Sequence, residues 1–361
     1  FKHVPKNLII ILFLVCFIFP QNENQIQLNI FANNNNIHFL HKNSDGIYYD
    51  NNISSNLQFR HKIVFEKIPF LTLNGAWYLN EDEIDLYDLN ARLNLKKIDL
   101  KFGSFHSETL YDNPRFSSGS MVFSNNAKKI YGIAFNSKWN NFFNLFEYKG
   151  ELFQGKFPKP VGYDGGPYLH YKSVLLRKKI KEMNLGFAIQ HAVQHGGYDQ
   201  NNNKIPTSWE NYINVFFARS GDESQPAQDQ DYKAGNGLGA FTFILEKNSN
   251  LFYYEHYFDD KSGVKTLNFG DGLIGINLKF SLFNLNFELV NTRNQSGNQH
   301  PPGVDSYYFH DVYLFGWSND GLSIGNSFIH PNSNRKFLYN IGAEKFFKKF
   351  SITSRYAYSK V

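Results

Sequence analysis

Apolar and polar residues alternate along most of the chain with a period of two. Every second side chain of a β-strand points to the same face, so this pattern predicts strands with one apolar and one polar face. Helical spacing fits none of these stretches. The clearest cases are LTLNGAWYL (71–79), LYDLNARLNL (86–95), LIGINLKF (273–280), FNLNFEL (283–289) and FSITSRYAY (350–358).

A soluble β-sandwich would alternate in the same way, with its apolar faces turned inward. Two properties favour a membrane barrel. The strands are about 9–11 residues long, which is the length that crosses a bilayer when a strand is tilted. Their polar faces carry Asn, Arg, Lys and Glu, which suits a wet lumen. The sequence therefore predicts an all-β fold, an antiparallel transmembrane outer-membrane β-barrel.

Short and long connections alternate between the predicted strands. Barrels of this class have short periplasmic turns and long extracellular loops, so the long connections are predicted to face the cell exterior. The short turns are predicted near 96–97, 247–250, 281–282 and 347–349, and the long loops near 106–117, 192–236, 259–270, 291–306 and 318–334.

One stretch in the longest loop departs from the alternation. In PTSWENYINVFFARSG (206–221), Ser208 can cap a helix, and apolar residues then recur at helical spacing. The sequence predicts a short loop helix here, with a strand over YINVFFAR as the alternative.

Composition agrees with a barrel. Aromatic residues make up 17% of the chain, whereas the mean hydropathy is −0.43. This combination is typical of barrels, in which only alternate residues face lipid and aromatic girdles mark both interfaces. The net charge of +5 is mild, and no Lys/Arg block resembles a nucleic-acid patch, so no nucleic-acid partner is expected.

The amino-terminal residues resemble an export signal. Lys2 and Lys6 precede an apolar run from Leu8 to Phe19, which predicts a signal peptide over 1–20 and the barrel over 21–361, with an uncleaved anchor helix as the alternative. Cys16 is the only cysteine, so cleavage would leave no disulfide, no Cys-based metal site and no Cys nucleophile. The last predicted strand points outward, and barrels normally end on the periplasmic side, so at least one further strand is expected beyond Val361.

Three loop stretches carry candidate binding chemistry. Asp259, Asp260 and Ser262 offer oxygen ligands for sugar or a cation, or they shape a solvated turn. Amides and a guanidinium suit sugar hydroxyls and uronate carboxylates, or they join the loops to one another in a plug. This second set comprises Asn291, Arg293, Asn294, Gln295 and Ser296.

Aromatic residues near the carboxyl end could stack on sugar rings or belong to an interface girdle, and the girdle is the commoner use. They are Tyr307, Tyr308, Tyr313 and Trp317. His191 and His195 are four residues apart in a predicted strand, about 13 Å, so they cannot share one metal ion. No nucleophile elbow or carboxylate pair is visible. No cofactor, metal or catalytic site is predicted, and the protein is not expected to be an enzyme.

Several loop strings, in order along the chain, resemble the capsule assembly Wzi family. They include FSSGSMVFSNNAKKI, LHYKSVLLRKK, HAVQHGGYD and GNGLGAF. The longest block runs from YYEHYFDDKSG through NTRNQSGNQHPPGVDSYYFHDVYLFGWSNDG and includes Asp305 and Tyr307 of a D-x-Y element. The chain departs from the family at Lys128 and Lys129, where prolines are usual, and at His310, where Asn is usual.

This resemblance implies an outer-membrane barrel, in contact with lipid, that binds capsular polysaccharide or exopolysaccharide as a lectin and supports its attachment or assembly. A monomeric barrel is expected. A diffusion porin or substrate-specific channel of similar architecture is the alternative. A porin needs an open lumen, whereas a lectin needs loops that fill the mouth, and the total loop length favours filling.

Overall fold

The structure is a computed structural model that describes residues 23–32, 53–65, 68–79, 84–107, 116–160, 162–231, 233–259, 264, 268, 270–295, 306–313, 315–332, 335–348 and 350–360. The signal-peptide prediction and four candidate site residues lie outside this part of the chain. Those four are Asp260, Ser262, Ser296 and Asp305.

Sixteen strands of the described chain form one antiparallel sheet, in which strands that follow each other along the chain lie side by side. Fifteen of them form a single row in chain order, and the short strand Asn140–Phe142 pairs beside Phe146–Lys156. The first strands are β1 (Glu23–Ala32), β2 (Ile53–Phe65), β3 (Ile68–Leu79), β4 (Ile84–Asn94), β5 (Ile98–Phe105), β6 (Ile130–Ser137), β7 (Asn140–Phe142), β8 (Phe146–Lys156) and β9 (Tyr168–Ile180). The remaining wall strands are β10 (Met183–His195), β11 (Asn236–Lys247), β12 (Asn250–Phe258), β13 (Gly272–Lys279), β14 (Phe283–Asn291), β17 (Phe337–Phe346) and β18 (Ser351–Lys360).

The predicted strands and hairpin turns are confirmed. The five stretches that alternate most clearly lie in β3, β4, β13, β14 and β18. The short turns all fall at one end of the sheet. The opposite end carries the long connections, which are the extracellular loops, and the short link between β3 and β4.

Alternation sorts the wall residues into an outer and an inner face. On β14, Phe287 is 40% exposed, while its neighbour Glu288 is completely buried. On β13, Ile274 and Ile276 are exposed, whereas the polar Asn277 that follows Ile276 is buried. The apolar residues therefore face lipid and the polar residues face the lumen, as expected for an outer-membrane barrel.

Two details of the loop prediction are wrong. The predicted loops 291–306 and 318–334 are parts of one connection from β14 to β17, and the described residues between them form no wall strand. This connection contains only a small hairpin, β15 (Ser318–Asn319) and β16 (Leu322–Ser323). The loop predicted at 106–117 extends to residue 129, because β6 begins at Ile130.

The predicted loop helix is confirmed, and the alternative strand is wrong. Helix α1 (Trp209–Phe216) begins at Ser208, whose hydroxyl accepts a hydrogen bond from the Asn211 backbone N–H at 3.1 Å. A second short helix, α2 (Ala227–Asp231), follows in the same loop. Neither helix nor any other in the described residues is long and apolar enough to cross a membrane.

Helix α1 lies against the outer face of the wall rather than in the lumen. Its Tyr212 and Phe216 rings contact His170 of β9, with ring centroids 5.6 and 5.1 Å apart. His170 neighbours Tyr171, which faces the lumen, so His170 faces outward. The Lys172 ammonium donates to the Phe216 carbonyl at the end of the helix, where the helix dipole favours a cation.

We expect an epitope inserted after Asn202 to bind antibody on intact cells. Asn202 lies exposed in the β10–β11 connection, at the end of the long loops. The matched insertion after Asn248, in the exposed β11–β12 turn, should be detected only after the outer membrane is permeabilised. The reverse result for the two insertions would contradict the orientation.

Candidate functional site

Residues 116–129, which we call the inner segment, fold into the lumen. The segment leaves β5, contacts the walls on both sides and returns to β6. At one side Phe123 packs against Phe153 of β8 and Tyr171 of β9, with ring centroids 6.0 and 5.5 Å apart. At the other side the segment reaches β12, β14 and β17. The inner segment therefore spans the barrel interior.

Two buried wall carboxylates hold the inner segment. Glu288 of β14 accepts hydrogen bonds from the Ser118 backbone N–H at 2.6 Å and from the Ser117 hydroxyl at 2.5 Å. Glu255 of β12 accepts from the Met121 backbone N–H and, at 3.0 Å, from the Ser120 hydroxyl. Hydrogen bonds to an ionised acceptor are about twice as strong as neutral ones, so these contacts fix the segment to the wall.

The wall itself is shaped around these contacts. Asn340 of β17 donates its amide N–H to Glu288 at 2.8 Å and to the Phe116 carbonyl at 2.7 Å. Gly342, two residues along the same strand, has no side chain where Phe116 packs, and a Cβ there would lie 2.2 Å from the Phe116 Cβ. A larger residue at position 342 would push the segment off the wall.

Residues 306–313 and 315–331, which we call the capping segment, lie on the inner segment. The Trp317 indole N–H donates to the Val122 carbonyl at 2.7 Å, and the Tyr308 hydroxyl donates to the Met121 carbonyl. Two backbone contacts join the segments directly, from the Ser124 N–H to the Ile324 carbonyl at 2.8 Å and from the Ser327 N–H to the Ser118 carbonyl at 3.1 Å. Together the two segments form a plug, the term used below.

The candidate aromatic residues belong to this plug. Tyr307, Tyr308 and Trp317 are completely buried, and Tyr313 is 6% exposed. Their predicted place in an interface girdle is wrong, because they pack inside the loop bed and not against lipid. Burial also leaves Tyr307 and Trp317 no open ring face for a sugar.

A buried carboxylate that the sequence analysis missed gathers three of the predicted residues. Asp271 accepts hydrogen bonds from the backbone N–H groups of Asn294 at 3.0 Å and Gln295 at 2.6 Å, and from the Tyr307 hydroxyl at 2.9 Å. Burial raises the pKa of Asp271 despite these donors, and it raises the pKa of Tyr307 well above its ordinary value. Of the two interpretations of this stretch, loop-to-loop hydrogen bonding accounts for Asn294 and Gln295.

Arg293 is the exposed member of the same stretch. Its guanidinium lies 5.2 Å from the centre of the Phe337 ring, and its backbone carbonyl accepts a hydrogen bond from Arg335 at 3.2 Å. The neighbouring Lys336 ammonium donates to the Phe328 carbonyl at 2.8 Å, and burial lowers the pKa of this lysine. These residues form a basic patch at the outer rim, defined here as Arg293, Arg335 and Lys336.

The remaining candidates are placed separately. Asn291 donates its amide N–H to the Gly270 carbonyl at 2.8 Å and so closes the β13–β14 end. Asp259 is half-buried directly after β12. Within the described residues, no group of three His, Cys, Asp or Glu side chains is arranged to hold a metal ion.

No signal in the sequence could have identified Glu255, Glu288 and Asp271 as the residues that organise the loops. Each is a single acid in a strand or at a strand end, and its pairing depends on contacts with residues more than 20 positions away. The glycine- and serine-rich string 117–120 gave the only hint, because small residues allow a close approach of backbone to a wall.

We expect Glu288→Ala to release the inner segment. The change removes a charged acceptor and leaves buried donors unpaired, at a cost of about 1–3 kcal/mol for each strong contact. Limited trypsin digestion of the folded barrel should then cut after Lys128 or Lys129, which the wild type should resist. Glu182→Ala, at an exposed turn acid, is the control and should leave digestion unchanged. Equal resistance in the Glu288 variant would show that this carboxylate does not hold the segment.

Comparison with known proteins places this architecture in a family. Among solved structures, mutants of the Rh. blastica porin are similar, with TM-scores of 0.40 and 0.41 and 10% identity over 93% of this chain and 98% of theirs. OprD from Pseudomonas aeruginosa has a TM-score of 0.37 and 10% identity over 94% and 86%. Both likenesses are distant, and neither bears on what this chain binds. No curated protein matches the sequence.

The family comparison is more extensive. The family model described as capsule assembly protein Wzi matches residues 28–340, which cover β2 to β14, the plug and most of the outer loops. The ordered loop strings of the sequence analysis lie within this match, and an antiparallel outer-membrane barrel carries them. The chain belongs to the capsule assembly protein Wzi family and is a protein of the outer membrane.

Proposed function

We propose that this protein is an outer-membrane lectin that binds an acidic surface polysaccharide and supports its attachment or assembly at the cell surface. The observation that carries the proposal is the buried, hydrogen-bonded plug together with the basic patch at its rim. Membership of a capsule-assembly family supports a role at the surface, and the patch supports the class of sugar.

The basic patch suits an acidic polymer on chemical grounds. A guanidinium presents its donors as a planar fork that matches a carboxylate, so Arg293 and Arg335 can each contact a uronate group. Arg293 is exposed, and its backbone is fixed through the contact between Arg335 and its carbonyl and through the Asp271 contacts to the next two residues. A fixed donor loses less conformational freedom on binding than a mobile one.

Binding rather than catalysis is the function that the described site supports. The buried carboxylates Glu255 and Glu288 are occupied by hydrogen bonds from the inner segment, and Asp271 is occupied by loop backbone. These acids therefore hold the loops in place and do not project toward a substrate. The proposed protein is a monomeric, non-enzymatic barrel whose partner is the polysaccharide.

A diffusion channel is the second candidate, since barrels of this architecture often conduct. The inner segment argues against it, because it spans the lumen and is fixed at both walls. The plug would leave solutes little of the wide aqueous path that an open porin offers.

The polysaccharide proposal predicts that Arg293→Ala with Arg335→Ala weakens binding of the organism's own purified capsular polymer by about tenfold, because ion pairs at an exposed surface contribute up to about 1 kcal/mol each. Binding can be measured on the detergent-purified barrel, and capsule retention on cells that carry the variant.

The matched control is Lys178→Ala with Lys247→Ala, which removes the same charge at the opposite end of the barrel. It should bind normally. Unchanged binding by a folded arginine variant, or equal weakening in the control, would contradict the assignment of the patch. Gln295→Ala is unsuitable as a test, because Gln295 is buried and forms part of the loop framework.

The channel alternative predicts a large and steady conductance in planar bilayers, whereas the plug predicts a small one or none for the wild type. Deletion of residues 117–127, which removes the inner segment but keeps the wall strands, should increase the conductance. A wild-type conductance as large as that of an open porin would favour the channel instead.

A further inference from the structure

The short-turn end of the barrel carries a ring of positive charge. Each of the six fully or largely described turns at this end has at least one exposed lysine in it or directly beside it. Because the long loops face the cell exterior, this end faces the periplasm. The representatives, one for each turn in chain order, are Lys96, Lys138, Lys181, Lys247, Lys279 and Lys348.

The neighbouring acids cancel only part of this charge. Asp99 is buried, where it pairs with Arg92 and, at 3.3 Å, with Lys138. Glu147 is paired with the Arg177 guanidinium at 2.8 Å. In the described turns Glu182 is the exposed carboxylate that remains, so the ring is strongly basic.

Aromatic pairs fix the depth of these turns in the membrane. The rings of Phe280 and Phe283 are stacked with centroids 4.4 Å apart, and those of Phe347 and Phe350 with centroids 4.6 Å apart. All four are between 39% and 60% exposed. Exposed aromatic rings at strand ends mark the membrane–water interface of a barrel.

The lysines lie immediately beside these rings. Lys279 precedes Phe280, and Lys348 follows Phe347. The Lys345 ammonium lies 5.2 Å from the centre of the Phe347 ring. A lysine stem can follow the apolar interface while its ammonium reaches the headgroup layer. The ammonium groups therefore lie at the level of the lipid phosphates. A soluble partner would have to dock on the periplasmic side of that layer.

We propose that this ring is a binding collar for anionic phospholipid headgroups of the inner, periplasmic leaflet. The chemistry is the contact of lysine ammonium with lipid phosphate, repeated around the circumference. A basic surface could instead bind an acidic periplasmic protein. The aromatic pairs beside the lysines favour lipid, because such rings lie at the membrane interface. The collar orients the barrel in the membrane independently of what the outer loops bind.

The test uses the full chain, refolded into phosphatidylcholine vesicles that contain spin-labelled phosphatidylglycerol or spin-labelled phosphatidylcholine. Electron spin resonance measures the fraction of each labelled lipid held by the protein. The wild type should favour phosphatidylglycerol by about threefold, since each lysine near an anionic headgroup adds to the attraction. Salt at about 0.5 M should remove most of this preference by screening.

Two variants with equal loss of charge locate the effect. Lys97→Gln, Lys247→Gln and Lys348→Gln together should lower the preference about twofold. The control carries Lys159→Gln, Lys204→Gln and Arg219→Gln, which are exposed at the outer end, and should keep it. Heat-dependent migration in gels verifies that both are folded.

The outcomes are distinct. A wild type without preference for phosphatidylglycerol would overturn the collar and favour an acidic periplasmic partner, and this result needs no variant. Equal loss of preference in both variants would also overturn it, because the effect would then follow net charge. Polysaccharide binding is measured separately, so its failure leaves the collar intact.

Discussion

The fold of the outer half of this barrel depends on two buried carboxylates that accept backbone hydrogen bonds. Glu288 and Glu255 are completely buried, and a buried charge is costly unless it is fully hydrogen-bonded. The inner segment supplies the donors from its own N–H and hydroxyl groups, and these groups would otherwise be unpaired in the lumen. Wall and segment thus satisfy each other's hydrogen-bonding groups, which fixes the segment against the wall.

This contact also fixes further loops, because each loop that it holds contacts the next one. The inner segment offers its Met121 and Val122 carbonyls to the capping segment, and the Tyr308 and Trp317 side chains complete the pairing. Tyr307, the neighbour of Tyr308, then reaches Asp271 and so connects the plug to residues 294 and 295. Arg293 directly precedes these two residues, so the contacts fix its backbone while its side chain stays exposed.

The two ends of the barrel differ because they meet different surroundings. Long loops at the outer end are polar and bury the aromatic residues of the plug, whereas other aromatic residues of these loops, such as Trp209 and Phe315, stay exposed. Tight turns at the other end have no room for such packing, so aromatic residues and lysines there remain exposed at the interface. The same residue types therefore serve packing at one end and membrane contact at the other.

Local sequence was sufficient for the wall and for helix α1. Alternation has a period of two whatever the partner strand, so β3, β4, β13, β14 and β18 were predictable, and Ser208 marked the helix start because capping is a contact over three residues. The plug was not predictable in this way. The plug depends on contacts between residues that lie from 23 to 195 positions apart in the chain. These contacts are the hydrogen bond of Trp317, those that Glu288 accepts, and those that Asp271 accepts from residues 294, 295 and 307. Periodicity carries no information about such pairs, and only the packing of the inner segment against distant wall strands decides which acids become anchors and which arginine stays exposed.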